Sequence, residues 1–213
     1  MSAALQLDSA PAYLPLITER PLYRLTVEQY HGMIAAGVLK DGEKVELIEG
    51  LLVQKMSRNP PHEASLSRIN RRLARLLPEE WVLRVQSAVT LRRSEPEPDF
   101  SISRGPEGRY SRRHPGPRDI ALLIEVAETS LHEDRTMQAT LYADARVPEY
   151  WIVNVVHNQI EVYTDPRGGR TPAYRQRRDY GPDEEIPLVL KGQEIAQLRV
   201  RDLLPLPPSG DSE

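Results

Sequence analysis

Residues 96–103 read PEPDFSIS and residues 120–127 read IALLIEVA. The first stretch sets Asp99 directly behind Pro98 and directly ahead of an alternating run. Proline has a fixed φ and no N–H, so it belongs at the edge or start of a strand, and the alternation that follows predicts one. The second stretch is almost continuously apolar, as a central strand buried on both faces must be. Yet it carries Glu125 in its middle. An unpaired carboxylate is costly to bury, so a metal, a cation or a proton has to compensate. The plainer alternative is a strand end at which Glu125 emerges into solvent.

Working outward, LTVEQYHGMIAAGVL (residues 25–39) reads as a helix with Thr26 as its N-cap and Glu28 close by. In EKVELIEGLLVQKM (residues 43–56) two β-prone halves flank Glu49-Gly50, a two-residue hairpin signal. PHEASLSRINRRLARLLPEE (residues 61–80) is an amphipathic helix with Leu66, Ile69, Leu73 and Leu76 as its stripe. WVLRVQSAVTLRR (residues 81–93) alternates like a strand, and residues 104–118 form a Gly-, Pro- and Arg-rich loop. HEDRTMQATLYADA (residues 132–145) is a further helix, EYWIVNVVHNQIEVYT a hairpin turning at His157-Asn158, and residues 171–200 peripheral strands. Helices and strands in this order predict an α/β or α+β architecture, a mixed sheet flanked by helices. A single domain is expected over 21–205, between an irregular arm (1–20) and a flexible tail (206–213).

The 213 residues suit one sizeable core. At 39% hydrophobic and 28% charged residues the chain is neither disordered nor membrane-like, and no apolar run approaches the length of a membrane span. The N-terminus lacks the basic and apolar blocks of a secretory signal. The absence of cysteine excludes disulfides, thiolate ligands and a cysteine nucleophile, and suits a reducing cytoplasm. A net charge of −3 requires any nucleic-acid binding to come from local basic patches.

A third acid, Glu46, lies between Val45 and Leu47 and shares a strand face with Ile48. Three acids on successive sheet elements can converge on one hard divalent cation, which takes oxygen ligands. The order of an acid, then Pro-Asp, then a Glu near the end of a buried strand resembles the PD-(D/E)xK nuclease superfamily. More narrowly, VELIEG, NPPHEASLSRINRRL, EPEPDFS, LLIEVAETSLHEDR and LYADARVPEYWIVN resemble the Uma-two-type family of restriction endonucleases, from about Val45 to Tyr163. The resemblance implies a restriction-endonuclease-like fold and Mg²⁺- or Mn²⁺-dependent hydrolysis of DNA, with Glu46, Asp99 and Glu125 as metal ligands. It also implies a homodimer that reaches both strands.

The same resemblance implies a catalytic lysine, and this chain departs from it. Two residues after Glu125 stands Ala127, and in the displaced slot of a D-R-x-x-K-x-x-x-Y pattern stands Gln138. Glutamine orients a water but carries no charge. The four lysines are Lys40, Lys44, Lys55 and Lys191. Of these, Lys55 is a diagonal neighbour of Glu46 across the hairpin, at about 7–8 Å, and is either a substitute or a solvated strand-end charge. Two functions therefore stay open: a metal-dependent endonuclease weakened by Gln138, or a catalytically impaired nuclease-fold protein that binds nucleic acid or serves assembly. Arg68, Arg71, Arg72 and Arg75 form one cationic helix face, either a phosphate contact or a solvated surface. His62 and His132 are not spaced as a metal pair; each is a proton carrier or a structural residue. No Ser-His-Asp signature accompanies Ser57, Ser65 or Ser67.

Overall fold

The computed structural model describes residues 21–40, 43–55 and 59–205; the arm expected over 1–20 and the tail expected over 206–213 lie outside the described residues. Helix α1 (Val27–Ala35) begins at a reciprocal cap. The Gln29 N–H donates to the Thr26 hydroxyl at 3.2 Å, and the Thr26 N–H to the Gln29 side chain at 2.9 Å. Gln29 rather than Glu28 closes this box. Strands β1 (Val45–Ile48) and β2 (Leu51–Gln54) pair with Glu46 opposite Val53. Glu49 and Gly50 in the turn both have positive φ, 49° and 81°, which matches the right-handed twist of a hairpin. A Cβ at Gly50 would lie 2.6 Å from Cβ of Arg24 and 2.9 Å from the Leu25 carbonyl, so only glycine fits there.

Six strands build the main sheet in the order β3 (Trp81–Val85), β4 (Phe100–Arg104), β5 (Ile120–Ala127), β6 (Glu149–Asn154), β7 (Gln159–Arg167), β8 (Ala173–Tyr180). Only β5 and β6 run parallel. The crossover between them holds α3 (Leu131–Glu133), a π-helical turn (Asp134–Gln138) and α4 (Ala139–Asp144). Every residue of β5 is buried. Leu122, Ile124 and Val126 pack in a cluster with Ile69 and Leu73 of α2 (Pro60–Leu73), Phe100 and Trp151. Leu123 and Ala127 pack on the other side with Tyr142, Tyr150 and Ile152. This double burial accounts for the unbroken apolar run.

Three boundaries differ from the sequence reading. β3 stops at Val85, because Gln86 turns to positive φ (46°) and Pro96 and Pro98 remove ladder donors. Ala173–Tyr180 joins the main sheet as its edge, whereas β9 (Glu185–Leu190) and β10 (Gln193–Arg199) pair apart from it. The helix expected over 132–145 is interrupted by the π-turn, a feature that hydrophobic periodicity does not encode. No described helix is long and apolar enough to cross a membrane.

Candidate metal centre

Glu46 on β1, Asp99 immediately before β4 and Glu125 on β5 line one cavity, with room for about 110 Å³ of solvent. A water needs roughly 10–15 Å³ on this scale, so an ion with part of its water shell fits. The three acids are only 8%, 5% and 9% exposed, and Glu125 does not emerge into solvent. Lys55, His62, Glu97, Asp134 and Gln138 line the same cavity.

Hydrogen bonds tie the acids to the sheet. Oε2 of Glu125 accepts the Asp99 N–H at 3.1 Å, and Oδ2 of Asp99 accepts the Val126 N–H at 2.9 Å. Oε1 of Glu125 accepts from the Tyr142 hydroxyl at 2.7 Å, and Oε2 of Glu46 accepts the Glu97 N–H at 3.1 Å. Nε2 of His62 lies 2.9 Å from Oδ2 of Asp99. As these side chains stand, no three His, Asp or Glu among the described residues are placed to hold a metal ion. Each Glu125 oxygen accepts from one protein donor, which leaves a second lone pair on each for a cation.

The electrostatics penalise ionised Glu46, Glu125 and Asp134 in the absence of a cation. Burial, then the charges of Asp99 and Asp134, pushes the Glu125 carboxyl well above its usual range. Burial likewise raises Glu46. At Asp134 burial outweighs the Ser130 hydrogen bond and, with the Asp99 and Glu133 charges, raises the carboxyl to about 7. Gln138 is buried with its Oε1 lacking any hydrogen-bond partner. Crowded carboxylates and an orphaned acceptor form an all-oxygen donor set, which suits a hard cation such as Mg²⁺ or Mn²⁺.

Lys55 forms an ion pair with Glu97 inside the cavity, and its charge also acts on Glu46. On α2, Arg72 pairs with Asp202 and Arg68 donates to the Arg201 carbonyl at 3.1 Å, while Arg71 and Arg75 are exposed. Sequence reasoning missed Glu97, Asp134 and Tyr142. Asp134 and Tyr142 stand four residues before and after Gln138, on one helical face, and Glu97 stands two before Asp99 in an extended run.

A mixed sheet carrying acids at its central strand and at the entry to the neighbouring strand defines the restriction-endonuclease-like fold. A crystal structure described as a putative nuclease belonging to DUF820, from Anabaena variabilis, superposes with a TM-score of 0.58 at 18% identity, covering 84% of this chain and 97% of that one. The family described as "Uma2: Putative restriction endonuclease" matches residues 27–200, and the chain belongs to it. No curated protein matches.

Proposed function

We propose that the chain is a divalent-metal-dependent endonuclease that hydrolyses DNA phosphodiester bonds, with Glu46, Asp99 and Glu125 holding Mg²⁺ or Mn²⁺. The observation that carries this reading is the convergence of three buried acids, from β1, the entry to β4 and β5, on one cavity. When bound, the cation lowers the pKa of a water and neutralises charge on the phosphate. His62 orients Asp99 through its Nε2 contact. Tyr142 holds the Glu125 carboxylate from the core side. Gln138, with a free acceptor, takes a hydrogen bond from a water in the cavity. Lys55 supplies the cation that the Gln138 slot lacks, once it exchanges Glu97 for a phosphate oxygen. On this reading the chain works on DNA in the cytoplasm, as a homodimer. Calorimetric titration with Mg²⁺ and Mn²⁺ tests the reading, which expects binding in the parent and loss of binding in Asp99→Asn; an indifferent parent contradicts it.

A second reading rests on a specific observation: Gln138 is uncharged and Lys55 is held by Glu97. A catalytically impaired protein that binds nucleic acid or serves assembly would look the same. It predicts DNA binding in Mg²⁺ without cleavage.

A further inference from the structure

Glu161 on β7 is fully buried, and the chemistry proposed above gives it no task. It stands in the same row as Glu125, through the register Glu125–Ile152–Glu161. That places it two strand spacings away, about 9–10 Å. Its carboxylate accepts from Nε of Arg135 at 3.0 Å and Nη2 of Arg135 at 2.5 Å, from Nδ2 of Asn154 at 2.7 Å and from the Tyr163 hydroxyl at 2.9 Å. Nη2 of Arg177 adds a second guanidinium at 3.2 Å.

Arg135 is the second residue of the π-turn whose Asp134 and Gln138 line the acidic cavity. A π-turn interrupts the regular helical ladder, and the Arg135–Glu161 contact adds support from outside the helix. A forked guanidinium on a carboxylate supplies it with a fixed direction, which a lysine's point charge does not. Partners hydrogen-bonded to metal ligands commonly cost 10–100-fold in affinity when replaced, and Glu161 acts one step further out, so the low end applies.

We propose that Glu161 is a positioning residue: through Arg135 it fixes the π-turn that carries Asp134 and Gln138 into the cavity, and so sets the cavity's grip on a divalent cation. The cation part rests on the function proposed above; the fixing of the turn does not. The test uses Glu161→Gln, Arg135→Lys and, as control, Glu149→Gln, a half-buried acid at the opposite end of the sheet. Hydrogen exchange without metal at about pH 4.5, where Glu149→Gln leaves stability unchanged, should speed up at least about tenfold over residues 131–139 in the first two variants, with α1 unchanged, and stay at the parent rate in the control. Mg²⁺ affinity should fall about tenfold in the same two variants, with KM for DNA unchanged. Parent-like exchange over 131–139 in both variants, equal loss of protection across α1 and α2, or parent-like Mg²⁺ affinity in both overturns the proposal. A parent that binds no Mg²⁺ sinks the metal reading instead, and the exchange difference then decides the positioning claim by itself.

Discussion

Asp99 and Glu125 are bound to each other's strands: the Asp99 N–H donates to Glu125 at 3.1 Å, and the N–H of Val126, next to Glu125, donates to Asp99 at 2.9 Å. Each carboxylate thus serves as a backbone acceptor, and the two are held side by side although burial and mutual charge raise Glu125. The arrangement keeps negative charge crowded in the cation-free protein.

Removing part of that charge should therefore stabilise the cation-free chain. Glu125→Gln should raise Tm without metal by at least about 2 °C, since roughly 1 kcal/mol shifts Tm by 2–4 °C in a chain of this size. The same variant should lose the Tm increase that Mg²⁺ gives the parent. Thermal unfolding with and without Mg²⁺ reads both effects; an unchanged Mg²⁺ response in the variant counts against Glu125 as a ligand.

Lys55 and Gln138 make opposite predictions for the missing charge. If Lys55 supplies it, Lys55→Ala should reduce cleavage about a hundred- to a thousandfold, the usual cost of one electrostatic contact to the transition state, and Gln138→Lys should change little. A gain of similar size in Gln138→Lys, with Lys55→Ala unaffected, would instead mark residue 138 as the vacant slot. Single-turnover cleavage rates distinguish the two.

Glu149 gives a pH dependence away from the cavity. Burial, opposed by the Trp151 indole N–H at 2.5 Å, raises its carboxyl from 4.5 to about 7. A carboxyl raised in the folded state favours folding while protonated, so its contribution is full below the unfolded value and is lost as pH rises to about 7. Each unit is worth about 1.4 kcal/mol. Glu149→Gln keeps the acceptor for Trp151 and should be more stable than the parent by about 3 kcal/mol at pH 8.5, with the gap closing by pH 4.5. Urea unfolding at the two pH values measures it, and a gap independent of pH contradicts the assignment.

The strands and the β1–β2 turn were legible because their patterns are local: alternation, a continuous apolar run, and Glu49-Gly50 at the turn. Glu125 stood out for the same reason, as a charge inside an apolar run. Asp134, Glu97 and Glu161 were not legible. Asp134 and Glu97 leave only a spacing relative to Gln138 and Asp99, whereas Glu161 reads as an ordinary surface acid until the sheet register brings it inward. Arg68 and Arg72 show the converse. Helical spacing places them on one face, but the contacts of that face with Arg201 and Asp202 come from residues more than a hundred positions away.

The most direct measurement is cleavage of supercoiled plasmid DNA by the parent and by Asp99→Asn, with Mg²⁺, Mn²⁺ or EDTA. The account predicts metal-dependent nicking by the parent, none in EDTA, and a loss of at least about a hundredfold in Asp99→Asn. A parent inactive with both ions, or an Asp99→Asn variant that cleaves as fast as the parent, contradicts it.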